Sequence, residues 1–410
     1  MDSVTVERIR RAVEIESVRN APPADFPDLP PIPRERFIDP DFFRLEVEHV
    51  YGQSWLYAGS GWELPNTGDF KIFDNMGRAP ILLIRGEDAV VRAFYNTCQH
   101  RGAQVVDTPC GNTGKLLRCQ FHSWSYDLRG KLVAVPAPWD FATDMDRGRF
   151  GLKSVRCEMW GSYIFVNLSN AAPDLMTWLG PIPTDFDWAA HLRPSHRRER
   201  LLNCHWRLAI EAFVEIYHIA SVHPNSVFQG IQQRGAISTF FRHGHSRLIC
   251  PNTPQKRPAP IEGPLPEGWD EGRILRREAS VSYNIFPNLL APASETGFFL
   301  QEFWPVDHEH TRLAFTVFDA DWGAGDPPQT LAERAAYFDA VLDEDTWNMD
   351  HIQHSMRSPA FAGPKCSYHE KRIYNIEEHV DRMIGADKIP GHLQVDQLLE
   401  RYIVETADSI

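Results

Sequence analysis

Cys98-Gln99-His100-Arg101-Gly102 and Cys119-Gln120-Phe121-His122-Ser123-Trp124-Ser125-Tyr126-Asp127 are the stretches on which the reading of this 410-residue chain turns. Each supplies one cysteine and one histidine a few positions apart, and residues 101–118 separate the pairs. Two thiolates and two imidazoles from two short loops make a four-ligand metal site. Zinc accepts these donors, and a structural zinc site is the plain alternative. Finger-type sites, however, group Cys with Cys and His with His. One of each donor per loop suits a [2Fe–2S] cluster with two histidines on one iron and two cysteines on the other.

Outward from these loops, the texture from about Phe42 to Leu168 is short β runs broken by turn residues. Asp69–Phe73, 80–85, 89–95 and 162–168 read as strands, with Asn112-Thr113-Gly114 and Asp127-Leu128-Arg129-Gly130 as turns. This is a small all-β domain. Before it lie a short helical pattern over the first twenty residues and an extended arm, where 21–33 carries six prolines. After a proline-containing link at 181–194 the pattern changes. A helix is expected over 206–220, a Pro/Gly-rich loop over 250–270, and antiparallel strands over 281–286, 297–304 and 311–318. A long helix is expected over 330–357, and a polar tail after Pro359. The second domain is therefore α+β.

The two loops, with Ala93-Phe94-Tyr95-Asn96 before them, resemble the paired loops of a Rieske domain. The spacer is at the long end of the family range, and Ser123 stands where a glycine is usual. Cys110 lies within the span, but no cysteine follows His100 at the position of the disulfide in respiratory Rieske proteins. The resemblance is thus to the oxygenase and ferredoxin branch, and it implies that Cys98, His100, Cys119 and His122 hold the cluster. Imidazoles in place of two thiolates make such a cluster less negative and raise its potential, which suits an electron relay.

A relay alone does not activate oxygen, so the second domain decides between carrier and enzyme. Glu215 and His218 are three apart, on one face of the expected helix, and His223 precedes Pro224. Two histidines and a carboxylate are the ingredients of a mononuclear iron site with open positions. A lone pair of histidines is more often a surface or satisfied core feature. Here, though, the run from Trp206 to His218, with His223-Pro224, resembles the catalytic helix of Rieske oxygenase α subunits. The resemblance implies that His218 and His223 bind non-haem iron. Glu215 would be a bridge rather than a ligand, hydrogen-bonding an iron-ligand histidine on one side and His122 of a neighbouring subunit on the other. Ala212 and His205 depart from frequent asparagines of the family. For the third ligand the chain offers Asp343, Glu344, Asp345 and Asp350, most of which would form a solvated acidic face. Glu344-Asp345 with Asn348, Asp350 and Gln353 resembles the family stretch whose Asp ligates iron, which selects Asp345.

Other candidates carry less. His243 and His245 alternate along an expected strand with no acid or cysteine to complete a site. His351 and His354 share a helix face near Asp345. Gly59-Ser60-Gly61 lacks the later glycine of a dinucleotide loop, so direct nicotinamide binding is unsupported.

Composition narrows the function classes. With 42 Lys+Arg against 55 Asp+Glu the formal net charge is −13, which disfavours a nucleic-acid partner. Seven cysteines without an apolar leader, and no run long enough to span a bilayer, suggest a cytoplasmic protein with free thiols and no membrane partner.

Taken together, the resemblance implies an α+β chain with the boundaries 1–41 for the N-terminal helix and Pro-rich arm, 42–168 for an all-β Rieske [2Fe–2S] domain and 169–410 for a helix-grip (START-like) catalytic domain. It implies a Rieske-type oxygenase: NAD(P)H electrons arrive through a ferredoxin and/or flavin reductase, pass His122, Glu215 and His218, and serve dioxygen activation and hydroxylation of an aromatic or related apolar substrate. A cyclic homotrimer is expected, since the bridge runs between subunits. Oxidative N- or O-demethylation by a monooxygenase, and a Rieske electron carrier without oxygenase activity, are the alternatives.

Overall fold

A computed structural model describes residues 1, 3–74, 76–141, 145–259, 266–267 and 269–405. The chain forms two compact units: Gly52–Leu175, and Met1–Tyr51 together with Met176–Ile410. The edges therefore lie at 52 and 175, where sequence texture suggests 42 and 168. Helix α1 (Ser3–Val18) and the extended proline run lead into α2 (Pro40–Leu45), capped by the Asp39 carboxylate, and a π-helical turn (Glu46–Tyr51). The whole N-terminal segment packs with the C-terminal unit because its charges find their partners there. Arg36 is fully buried against Glu377 (2.6 Å) and Asp381 (2.6 Å). Glu46 holds Arg207 (2.6 Å) and His205 (3.0 Å). Residues 42–51, expected to open the β domain, are helical for this reason.

The Gly52–Leu175 unit is all-β. In chain order its strands are β1 (Leu56–Ser60), β2 (Asp69–Phe73), β3 (Ile81–Arg85), β4 (Val91–Tyr95), β5 (Cys110–Asn112), β6 (Leu116–Arg118), β7 (Ser125–Asp127), β8 (Leu132–Ala134), β9 (Ser154–Trp160) and β10 (Tyr163–Asn167). One sheet runs β1-β10-β9-β4-β3-β2-β5, and β6-β7-β8 form a small meander. Phe70, Leu82, Ile84, Phe94, Leu117 and Tyr126 are buried in their common core. The loop after β4 and the loop between β6 and β7 carry the two Cys/His pairs.

The second unit is built on an eight-stranded sheet. Short helices α3 (Leu175–Leu179) and α4 (Ile182–Asp185) lead to β11 (Arg193–Leu202), α5 (Trp206–Val214), α6 (Ile219–Val222), β12 (Ile237–Phe241), β13 (Ser246–Pro251) and α7 (Glu271–Glu278). There follow β14 (Ala279–Ile285), β15 (Leu289–Ala293), β16 (Phe298–Pro305), β17 (Thr311–Asp319), α8 (Gln329–Thr346), α9 (Met349–Ser355), α10 (Lys371–Ile384) and β18 (Ile403–Val404). The order is β11-β17-β16-β15-β14-β13-β12-β18, antiparallel except for the β12–β18 pair. Helix α5 lies on β15 and β16, and α8 on β11, β17 and α5.

Several expected elements change shape. The helix expected over 206–220 stops at Val214, and Glu215 is extended (φ −122°). Arg372 explains the stop: its Nη1 donates to the Val214 carbonyl (2.8 Å), one of the acceptors a helix end leaves open. The long helix expected over 330–357 breaks at Trp347-Asn348 into α8 and α9, next to Thr346, whose hydroxyl bonds back to the Leu342 carbonyl (2.6 Å) and bends the helix. The tail after Pro359 contains α10, most of whose residues are buried. Its charges read as solvated, yet Glu377 and Asp381 meet Arg36 and Arg207 in the interior. The loop expected over 250–270 falls partly outside the described residues, at 260–265 and 268. Among the described residues no helix is long and apolar enough to cross a membrane.

Two candidate metal centres

The loops at 98–103 and 119–124 have the same backbone build. In the first, Cys98 N donates to Ala103 O (2.8 Å) and Gly102 N to Cys98 O (3.0 Å). In the second, Cys119 N donates to Trp124 O (2.9 Å) and Ser123 N to Cys119 O (2.9 Å). Gly102 (φ +79°) and Ser123 (φ +58°) occupy the matching left-handed position, so Ser123 pays the backbone cost that a glycine would avoid.

This geometry brings all four sequence-predicted donors together. Cys98 and Cys119 are 2% and 1% exposed, and the Cys119 thiol is close enough to Cys98 to perturb it. The His100 and His122 rings lie 4.6 Å apart. His100 also stacks on Trp124 (4.8 Å, 11° between planes), and its Nδ1 is buried with no hydrogen-bond partner. Burial, with His122 and Arg101 nearby, lowers the His100 pKa and so keeps the ring neutral, as a ligand must be. The Tyr126 hydroxyl accepts from Gln99 N (3.0 Å) and shares a hydrogen bond with Cys98 Sγ (3.3 Å). An orphaned ring nitrogen beside two buried thiols fits a [2Fe–2S] cluster. All seven cysteines are free of disulfides.

The second cluster gathers residues far apart in the chain. His218, His223 and Asp345 each present a donor atom, all within 4.8 Å of one another. His223 Nε2 is 2.8 Å from Asp345 Oδ1, and His218 Nε2 is 3.4 Å from the same oxygen. Both Nε2 atoms thus converge on one carboxylate. Both Nδ1 atoms are held from behind, His218 by Glu215 and His223 by Glu344 (2.6 Å). Glu215 is not on the helix face foreseen for it. From its extended position its carboxylate also accepts from Tyr217 N and His218 N, which shapes the turn between α5 and α6.

Electrostatics follow from these contacts. Burial alone would lower the pKa of His218, but the hydrogen bonds it donates to Asp345 and Glu215 carry it up to about 9. Burial raises the Asp345 carboxyl, and its two histidine partners more than reverse this. In the metal-free form the cluster therefore stores a proton that a metal would displace. Two imidazoles and one carboxylate fit a mononuclear divalent metal such as iron.

The acidic candidates on α8 separate cleanly. Asp343 pairs with Arg200 (2.5 Å) at the surface, Glu344 holds His223, Asp345 faces both histidines, and Asp350 is exposed. Sequence reading weighs Glu344 only as a possible ligand and misses both its hold on His223 and Ser226, whose hydroxyl donates to Glu344 (2.5 Å). The adjacency of Glu344 to Asp345 is the only local signal for either. His351 and His354 are exposed. His243 is in a tight turn (φ +59°), not a strand, and His245 is buried with Phe286 N and Trp178 O as its partners. His205, the departure from a frequent Asn, caps α5 by accepting from Arg207 N (3.2 Å).

Comparison with known proteins adds independent findings. Residues 54–145 match the Rieske [2Fe-2S] domain, and residues 186–386 match the ring hydroxylating alpha subunit (catalytic domain). The biphenyl dioxygenase subunit alpha of Paraburkholderia xenovorans (strain LB400) is 31% identical over 210 residues, 48% of this chain and 45% of that one. The glycine betaine monooxygenase oxygenase subunit of Pseudomonas aeruginosa (strain UCBPP-PA14) is 31% identical over 198 residues, 47% of this chain and 44% of that one. The matches span about half the length of these relatives or less. Among solved structures, a quaternary ammonium Rieske monooxygenase bound to an inhibitor has TM-score 0.75 at 19% identity, covering 89% of this chain and 99% of that one. Naphthalene 1,2-dioxygenase from Rhodococcus sp. bound to indole has TM-score 0.70 at 21% identity, covering 92% and 98%. Both likenesses are of fold.

Proposed function

This chain belongs to the Rieske non-haem iron oxygenase α subunits, and from that premise we propose that it is a terminal oxygenase that hydroxylates an aromatic or related apolar substrate with dioxygen. The observation that carries the reading is the convergence of His218, His223 and Asp345, which an electron carrier does not need. In this proposal Cys98, His100, Cys119 and His122 hold the [2Fe–2S] cluster, and His218, His223 and Asp345 hold the iron. The cluster supplies one-electron transfer and the iron supplies dioxygen reduction.

The remaining chemistry lies in the chain's own side chains. Glu215 and Glu344 keep a proton on the Nδ1 of His218 and of His223, so each ring offers its Nε2 lone pair forward. Asp345 adds the single negative charge that two neutral imidazoles lack. Glu215 also serves as the bridge toward His122 of a neighbouring subunit in a cyclic homotrimer. The exposed Tyr217 (64%) beside buried Glu215 (8%) supports an interface at this point. Electrons come from NAD(P)H through a separate ferredoxin and/or flavin reductase, in the cytoplasm.

A demethylating monooxygenase reading is kept as second, favoured by the glycine betaine monooxygenase likeness. A single-turnover experiment tests the proposal. The reduced, metal-loaded protein is exposed to ¹⁸O₂ with a panel of aromatic compounds and methylated amines. Label in a hydroxylated ring product supports the first reading, and formaldehyde from an amine supports the second. No labelled product, with the iron site shown to be filled, would overturn both.

A further inference from the structure

A cavity that none of the candidate metal donors lines lies in the unit formed by Met1–Tyr51 and Met176–Ile410. Its volume is about 260 Å³, and it is bordered by α1, the proline arm, the edge of β12, β18 and the start of α10. Strand β18 pairs only with Phe240 and Phe241, so Ile237–Thr239 at the β12 edge line the cavity instead of being covered. Three aromatic rings form much of the remaining wall. Phe26 meets Tyr368 edge-on at 4.8 Å and lies 5.8 Å from Tyr402.

The one buried cation lining this cavity is Lys371, 7% exposed, with Nζ 3.4 Å over the Tyr368 ring. Among the described residues its ammonium has neither a hydrogen bond nor a carboxylate within ion-pairing distance. Glu16 is near but already engaged, accepting from Arg19 Nε (2.7 Å) and from the Tyr368 hydroxyl (3.1 Å). Burying an ammonium is costly, and burial holds this one down to about 7. It outweighs Glu16, which also lines the cavity and favours the charged form of Lys371 across space. An incoming anion would relieve that cost. Aromatic walls beside a cation that makes no direct ion pair are the recognition chemistry of a planar acid.

We propose that this cavity binds a small aromatic monocarboxylate, its carboxylate on Lys371 Nζ and its ring among Phe26, Tyr368 and Tyr402. The site shares no residue with the His218–His223–Asp345 cluster, so it stands or falls apart from the oxygenase reading. It would give the protein a ligand-responsive element outside the candidate reaction centre.

Benzoate is the probe, benzamide its neutral counterpart, and titration calorimetry on the full chain the measurement. Benzoate is expected to bind and benzamide not to. Lys371→Met should weaken benzoate roughly 10- to 100-fold, the loss of one charge-assisted hydrogen bond. His223→Ala should leave the affinity unchanged, which separates this cavity from the metal cluster. Reductive methylation of the unaltered protein gives a second readout, in which benzoate but not benzamide should slow labelling of Lys371 in peptide mass spectra. No binding of millimolar benzoate, equal affinity in Lys371→Met, or unprotected Lys371 labelling would each overturn the proposal.

Discussion

The loops at 98–124 and the cluster at 218–345 present their candidate metal donors by opposite means. In the loops, the backbone does the positioning. Two turns of identical hydrogen-bond pattern aim four donors, and among the described residues the only side-chain support to a donor sulfur is Tyr126 on Cys98. In the cluster, side chains do it. Each histidine is gripped at Nδ1 by a carboxylate, one of them on a helix more than a hundred residues away. A centre aimed by backbone should tolerate the loss of single supporting side chains. One aimed by side chains should not.

The contrast is sharpest for Asp345→Ala. It should abolish the mononuclear metal and all turnover while leaving the visible spectrum of the [2Fe–2S] cluster intact, as metal analysis and absorbance on the same sample would show. A variant that keeps its mononuclear iron breaks the ligand assignment. Next in size is pH. His218 carries a proton in the metal-free form up to about pH 9. Since the proton must leave before metal enters, affinity should fall about tenfold for each unit that pH drops below this value. Titration of the metal-free protein with Fe(II) or Co(II) between pH 7 and 9 would reveal a flat profile if the histidine is already neutral.

Glu344→Gln comes third. It keeps the shape but loses the charge behind His223, and metal affinity should drop by about 10- to 100-fold. Unchanged affinity would mean that the cluster, like the loops, is aimed by its backbone. Smaller still is Tyr126→Phe, which removes one hydrogen bond to Cys98. The effect should be about 1 kcal/mol, or about 40 mV toward lower potential for a one-electron couple, read by redox titration with the cluster fully retained. Least of all is Ser123→Gly. It relieves a left-handed backbone but gives up conformational restriction and the Arg118 contact (3.0 Å), so thermal stability should move by less than about 1 kcal/mol.

The same contrast explains what could be read in the sequence. The loop donors were legible because each pair lies within a few residues of its own turn, so spacing alone carries the geometry. For His218 and His223 spacing was not enough, and only the resemblance of the surrounding run from Trp206 to Pro224 marked them out. The break at Glu215 was not legible, because it depends on Arg372 reaching the Val214 carbonyl from a segment 158 positions away. Nor was the role of Glu344, whose charge looks like one more solvated acid until His223 is folded against it. The buried charges of α10 misled most: Glu377 and Asp381 read as a polar tail, while their partners Arg36 and Arg207 lie far earlier in the chain. Long-range charge pairing has no period for a sequence to display. Removing one partner of such a pair is costly, because it leaves the other charge buried and uncompensated.

The central claim is that one chain holds two different iron centres. Iron and acid-labile sulfide analysis, combined with EPR of the anaerobically reduced protein, tests it most directly. The account predicts about three irons and about two sulfides per chain, with a Rieske-type signal from the reduced cluster. Zinc without sulfide, or a cluster whose second site stays empty after iron reconstitution, would contradict it.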